Sequence, residues 1–270
     1  MNIKTFIVAL LVGVAAGVMA YATAQDSTVQ EIEKYRQALA DGNPAELWEA
    51  RGENLWKQPR GPKNATLERC DIGLGPGVVK GAYTVLPKYF PDTDKVQDLE
   101  SRLVSCMVTL QGFTAAEAKK VPFGNGPKRS TMEALVAWIA AESRGMTMNV
   151  AGTHPKEVEA FDIGKKMFFY RAGPHDFACS TCHSADNQRI RLQDLPNLTN
   201  PKDAQRAYGA WPAYRVSQGE VRTMQHRLFD CYRQQRFPEP GYASDAISAL
   251  TLFLAKNANG GVFNAPALKR

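Results

Sequence analysis

Cys179-Ser180-Thr181-Cys182-His183 is the stretch on which the reading of this chain turns. Two thiols three residues apart, followed at once by a histidine, meet the demands of a covalently attached haem: the thiols reach the two vinyl groups and the imidazole turns onto the iron. A redox dithiol of this spacing would follow a strand in a thioredoxin-like pattern, and a zinc knuckle would need a second ligand pair at matching spacing. Neither condition is met, so the motif reads as one haem c bound through Cys179 and Cys182, with His183 as an axial iron ligand.

The N-terminus agrees with this chemistry. Lys4 supplies a positive flank, Phe6 to Val18 is a short apolar run, and Ala22-Thr23-Ala24 precedes Gln25. That is the pattern of a signal peptide over residues 1–24. A membrane span needs roughly 20 apolar residues, and this run is interrupted by glycines, so no membrane attachment is expected after cleavage. The expected location is the periplasm. Of 270 residues, 44% are hydrophobic and 22% charged, which suits a globular chain long enough for two compact units. Lys and Arg outnumber Asp and Glu by 33 to 27, and removing the leader with its single lysine lowers the net charge from +6 to +5. The cations are scattered among acids, so nothing marks a nucleic-acid partner.

An exported chain meets an oxidising compartment, and its 5 cysteines leave one without a partner. Outside the haem motif stand Cys70, Cys106 and Cys231. An internal repeat helps to sort them. Gly164-Lys165-Lys166-Met167-Phe168 precedes the haem motif, and Gly52-Glu53-Asn54-Leu55-Trp56 precedes Cys70, each with an apolar pair at the same offset from a glycine. Both resemble the opening helix of a cytochrome c domain. Arg102-Leu103-Val104-Ser105-Cys106 and Arg227-Leu228-Phe229-Asp230-Cys231 then repeat R-L-x-x-C. Each is followed by an apolar helix, over Met132 to Glu142 and over Asp245 to Lys256, with Gly145 and Gly260 as stops.

The expected fold is therefore mainly α, with two cytochrome c-like helical domains related by internal duplication. Residues 49–148 form the first and 149–270 the second, after a lead-in over 25–48 whose helix runs from Gln30 to Ala40. Only the second domain binds haem, because Gly73 and Leu74 stand where the first would need its second Cys and its His. With that site lost, Cys70 and Cys106 become a natural disulfide pair, although pairing of either with Cys231 across the domains stays open. The sixth iron ligand is open too: Met224, His226 and Cys231 all lie downstream, a thioether raising the reduction potential and a thiolate lowering it.

The haem motif together with His226-Arg227-Leu228-Phe229-Asp230-Cys231-Tyr232-Arg233-Gln234-Gln235 resembles the SoxA family, the cytochrome subunits of the SoxAX complex. The likeness extends over both mature domains and is most specific at Cys231 and its flanking arginines. It points to the family's one-haem branch, in which the N-terminal domain keeps a disulfide, here Cys70–Cys106. The resemblance implies that Cys231 is both the distal haem ligand and the catalytic sulfur, found as a persulfide. It also implies an enzyme: an L-cysteine S-thiosulfotransferase that joins thiosulfate oxidatively to a cysteine of the SoxYZ carrier and passes electrons to the SoxX cytochrome in a heterodimer. Arg227 carries over as the substrate-binding residue.

The residues support such chemistry on their own terms. A metal-bound sulfur is electron-rich, and thiolates rather than thiols enter sulfur–sulfur exchange. In a helix Arg227 shares a face with Cys231, and its guanidinium fork suits a sulfonate. Arg222, Arg233 and Arg236 add nearby positive charge, and Asp230 orients an arginine or caps. Trp211 and Tyr214 are expected against the porphyrin, while His154 and His175 read as loop or haem-edge residues. Three other readings compete: a plain electron-transfer cytochrome with Met224 or His226 on the iron, a thiosulfate dehydrogenase that forms tetrathionate, a class that generally carries two haem motifs, and a non-catalytic scaffold subunit.

Overall fold

The computed structural model describes residues 34, 42–124, 130–190 and 193–269. The leader read over 1–24 lies outside the described residues, and of the helix read over 30–40 only Lys34 is described. The described residues from Pro44 onward pack as one compact unit around a common apolar core. No helix among the described residues is long and apolar enough to cross a membrane.

Two crossed helix pairs organise this unit. The first joins α1 (Glu46–Lys57) to a later helix over Thr131–Ala141, and the second joins a helix over Pro155–Phe169 to one over Asp245–Asn257. The two apolar helices expected from periodicity are thus present, the first shifted by one residue at both ends and the second one residue longer at its C-terminal end. Each crossing is made close by a glycine. A Cβ on Gly52 would stand 2.0 Å from the Ala134 carbonyl oxygen, and one on Gly164 would stand 2.0 Å from that of Ala249. Only a residue without a side chain allows the backbones this approach. Four residues further along in every case, Trp56 meets Trp138 with ring centres 5.7 Å apart, and Phe168 meets Phe253 at 5.2 Å. The helices are held by buried aromatic area at the same offset in both crossings.

Between the first pair lie a hairpin, β1 (Lys88–Phe90) with β2 (Lys95–Gln97), then α2 (Leu99–Cys106), a wider π-helical turn over 107–111, and the short α3 (Ala115–Ala118). The Thr131–Ala141 helix is α4, and α5 is Pro155–Phe169. Between α5 and the last helix lie α6 (Cys179–His183), the hairpin β3 (Arg189–Ile190) with β4 (Gln193–Asp194), α7 (Pro201–Tyr208), β5 (Ala213–Arg215), β6 (Glu220–Arg222) and α8 (Met224–Gln235). The Asp245–Asn257 helix is α9. The C-terminal β7 (Ala267–Lys269) joins β5 in parallel, giving a sheet of order β6-β5-β7. These strands of two or three residues are too short to leave a period-two signature, which is why the sequence pattern missed them.

Cys70 and Cys106 form a disulfide, and Cys179, Cys182 and Cys231 are free. The open question of pairing to Cys231 is thereby answered. The bond ties the loop after α1 to the end of α2 across a sequence separation of 36. Closing a loop of that length in the unfolded chain is worth about 4 kcal/mol in the chain-entropy account. The double substitution Cys70→Ser, Cys106→Ser is expected to lower stability by about that amount in a denaturant titration while leaving haem attachment unaffected. An unchanged midpoint would show that the bridge constrains nothing.

Candidate functional site

α6 carries the whole C-x-x-C-H motif in a little over one turn. It begins where the Thr181 hydroxyl accepts a hydrogen bond from the Ala178 amide at 2.9 Å. The His183 ring is fixed from behind: Nδ1 lies 2.9 Å from the Pro196 carbonyl oxygen, so Nδ1 carries the proton and donates it, which leaves the Nε2 lone pair for a metal. Burial, and to a lesser extent the charge on Arg227, hold the His183 pKa below the ordinary histidine value, so the ring is kept in the neutral form that ligates. The residues therefore fit a haem. Among the described residues no three His, Cys, Asp or Glu side chains converge on a point as ligands of a bare ion would.

Cys231 approaches the same place from α8. Its thiol lies within charge-interaction range of Cys182, and that of Cys179 within range of Cys231. Burial pushes the Cys179 thiol up to about 12, with Cys231 adding to it. Burial also raises the Cys231 pKa, and Arg227 works against that rise while Asp230 and Cys182 add to it. Arg227 is half-buried, one helical turn before Cys231, and among the described residues its guanidinium makes no hydrogen bond or ion pair. The first copy of R-L-x-x-C behaves differently. There Arg102 is buried, pairs with Asp92 at 2.8 Å, donates to the Asp71 carbonyl and lies over the Phe90 ring at 4.1 Å. One copy's arginine is consumed by its own fold; the other's is left without a partner among the described residues.

A second unpaired arginine joins it, and sequence reading missed it. Arg215 ends β5, is half-buried, and among the described residues its guanidinium has no hydrogen-bond or ion-pair partner. Burial lowers its pKa, the charge of Arg227 lowers it further, and Asp230 partly compensates. Two guanidinium groups within charge range of each other, neither of them paired with a carboxylate among the described residues, suit the binding of an anion. The only available signal was the strand preceding β6 and α8, which three residues of sequence cannot announce.

The other candidates are placed elsewhere. Met224 faces the core beside Tyr83, Leu86, Val136 and Tyr208. His226 is buried against Phe123 at 4.5 Å, with Nδ1 3.7 Å from Glu133. Both are absorbed by packing against the first half of the chain, which sets them apart from Cys231 as partners for the haem motif. Arg222 is corrected as well: it is buried in ion pairs with Glu133 at 2.8 Å and Glu220 at 2.7 Å, and adds no free charge to the site. Tyr214 packs edge-on against Trp48 at 5.7 Å, and Trp211 belongs to the common core. Arg233 pairs at the surface with Asp230 at 3.5 Å, and Arg236 ends α8 in a left-handed conformation. His154 caps α5 and stacks on Tyr89 at 3.8 Å, while His175 sits exposed near Phe177.

Comparison with known proteins adds to this geometry. A family model described as the SoxA/TsdA cytochrome c domain matches residues 51–148, the half without the C-x-x-C-H motif. The L-cysteine S-thiosulfotransferase subunit SoxA of Hydrogenophilus thermoluteolus is 52% identical over 97% of both chains. The protein of the same name from Hydrogenobacter thermophilus is 32% identical over 99% of both. In three dimensions the chain is similar to the SoxXA crystal structure from P. pantotrophus, with a TM-score of 0.70 and 22% identity over 88% of this chain and 84% of that one, which marks the fold as cytochrome c-like. Similarity of this level running from end to end means that the chain belongs to the SoxA family.

Proposed function

We propose that the chain is an L-cysteine S-thiosulfotransferase subunit that works in the periplasm as a heterodimer with the SoxX cytochrome, joining thiosulfate to a cysteine of the SoxYZ carrier. The observation that carries this reading is Cys231: a free thiol beside Cys179 and Cys182, on one helix face with an unpaired arginine. Residues 49–148 and 149–270 are read as duplicated cytochrome c-like domains, the second holding a single haem c on Cys179, Cys182 and His183. The matching glycine crossings at Gly52 and Gly164 support that duplication.

In the reaction a carrier thiol and the outer sulfur of thiosulfate become one sulfur–sulfur bond, a proton leaves and two electrons are released. Cys231 is the sulfur through which the exchange passes, and Arg227 with Arg215 holds the sulfonate end so that the outer sulfur points at it. A haem c held on Cys179, Cys182 and His183 would supply a one-electron acceptor, and its positive iron would favour the deprotonated form of Cys231 against the burial that raises its pKa. Two released electrons against one haem call for a second acceptor, the role assigned to the partner cytochrome.

Mass spectrometry of the purified mature protein tests the covalent picture. One attached haem, a Cys70–Cys106 disulfide and Cys231 either free or carrying one added sulfur are expected; a disulfide at Cys231 would overturn the mechanism. The anion site has its own test. Arg227→Gln and Arg215→Gln are each expected to raise the KM for thiosulfate about 10- to 100-fold, the worth of a charge-assisted hydrogen bond. Steady-state assays in which Arg215→Gln keeps the wild-type KM would remove that residue from the site.

A further inference from the structure

The helix that carries Cys231 is seated by the half of the chain that lacks the haem motif. α8 leaves four amides unsatisfied at its start, as every helix does. Its own cap, Thr223, takes the His226 amide at 3.1 Å. The next is taken by a residue 125 positions away: the Gln225 amide donates to Glu100 Oε2 at 3.3 Å. Glu100 Oε1 also accepts from the Thr223 hydroxyl at 3.0 Å and from the Tyr242 hydroxyl at 3.1 Å. Beside it, Asp98 caps α2 by accepting from the Ser101 amide at 2.9 Å, and accepts from Gln225 Nε2 at 2.6 Å. Gln225 Oε1 in turn takes the Ala243 amide at 3.0 Å.

These partners occupy equivalent places in the two R-L-x-x-C segments. Asp98 and Thr223 each stand four residues before the arginine and cap their helix, and Glu100 and Gln225 each stand two before it. The two helix starts therefore abut: Glu100 bonds its counterpart Gln225 across the join, and Asp98 and Thr223 bond crosswise to Gln225 and Glu100. Glu100 is 4% exposed and Asp98 5%, and among the described residues no Lys or Arg pairs with either. A buried carboxylate with no cation is costly unless hydrogen bonds and a helix's positive end compensate it. Tyr83, Tyr208 and Tyr242 are the other titratable groups facing this place. α2 is itself braced at its far end by the Cys70–Cys106 bond.

We propose that Glu100, with Asp98 beside it, is a positioning residue for Cys231: by clamping the first turn of α8 it fixes where the sulfur at the third turn stands opposite the haem motif. The inference rests on the assignment of Cys231 to the iron and the sulfur chemistry. It gives the half without haem a task, that of a rigid seat for the reactive helix.

The test is amide hydrogen exchange on the haem-loaded protein, followed over 224–235, alongside the electron paramagnetic resonance of the ferric haem, in wild type, Glu100→Ala, Glu100→Gln and Tyr242→Phe. Glu100→Ala is expected to speed exchange in α8 about tenfold, with α1, α4, α5 and α9 unchanged, and to spread the low-spin signal over more than one ligand geometry. Glu100→Gln keeps an acceptor for the Gln225 amide and is expected to restore most of the protection. Should Glu100→Ala fail to fold, Tyr242→Phe, which removes one of the donors, is expected to give a smaller change of the same sign. The proposal is overturned if α8 exchange stays at the wild-type rate, or rises only together with every other helix. A wild-type signal without a thiolate ligand would instead overturn the assignment of Cys231, and the exchange result stands apart from it.

Discussion

Cys231→Ala is expected to abolish conjugation of thiosulfate to the carrier cysteine, by about 10³-fold or more, while the haem remains covalently bound at Cys179 and Cys182. The size follows from the role: removing the atom through which a covalent exchange passes leaves only binding and proximity, and such losses far exceed those of a positioning group. The structure makes this substitution unusually clean. Cys231 makes no disulfide, and the helix around it is held from its first turn by Thr223, Gln225 and His226. Removing one sulfur in the third turn leaves those ties in place. Activity is read as mass added to the carrier cysteine, and haem attachment by absorbance of the denatured protein. A variant that keeps wild-type turnover would make the chain an electron carrier only. Arginine substitutions should behave differently, raising KM first, because Arg227 and Arg215 hold the substrate without exchanging atoms with it.

Gly164→Ala is expected to produce a large loss of stability, with Gly52→Ala close behind. An added Cβ would meet the facing carbonyl oxygen at 2.0 Å in either helix crossing, and that oxygen belongs to backbone that cannot rotate away. The helices must separate, which uncovers Phe168 and Phe253 in one pair and Trp56 and Trp138 in the other. Overpacking at a rigid contact with loss of aromatic burial corresponds to about 3 kcal/mol or more. Thermal unfolding followed by circular dichroism checks it. Alanine at Gly42 or Gly75, where an added Cβ would meet nothing within 4 Å, serves as the comparison, with the strain of the left-handed backbone to be considered at Gly75. A Gly164→Ala protein melting with the wild type would mean that the crossing yields more readily than its backbone contact implies.

Much of this was legible beforehand, and for identifiable reasons. The spacing of Cys179, Cys182 and His183 is local chemistry, so it reads without a fold. The apolar helices α4 and α9 were visible because a face buried against one partner leaves a 3.6-residue period. The paired R-L-x-x-C segments and their glycines were visible because both halves keep the same register. What could not be read was which arginine each register leaves free. Arg102 and Arg227 are identical by motif, yet Asp92 and the Asp71 carbonyl bind the first, and among the described residues nothing comparable meets the second. Arg222 looked as cationic as Arg227 until Glu133, 89 residues away, neutralised it.

The sequence by itself determined the C-x-x-C-H spacing on which the proposed haem attachment rests, the helical class and the repeated R-L-x-x-C pattern, because each depends on residues close together along the chain. The tertiary structure alone decided which thiols pair, which of Met224, His226 and Cys231 turns away from the haem motif, and that Arg215 stands with Arg227. Those outcomes depend on side chains brought together from distant segments, where burial and a neighbouring charge, rather than residue type, settle what each group is free to do.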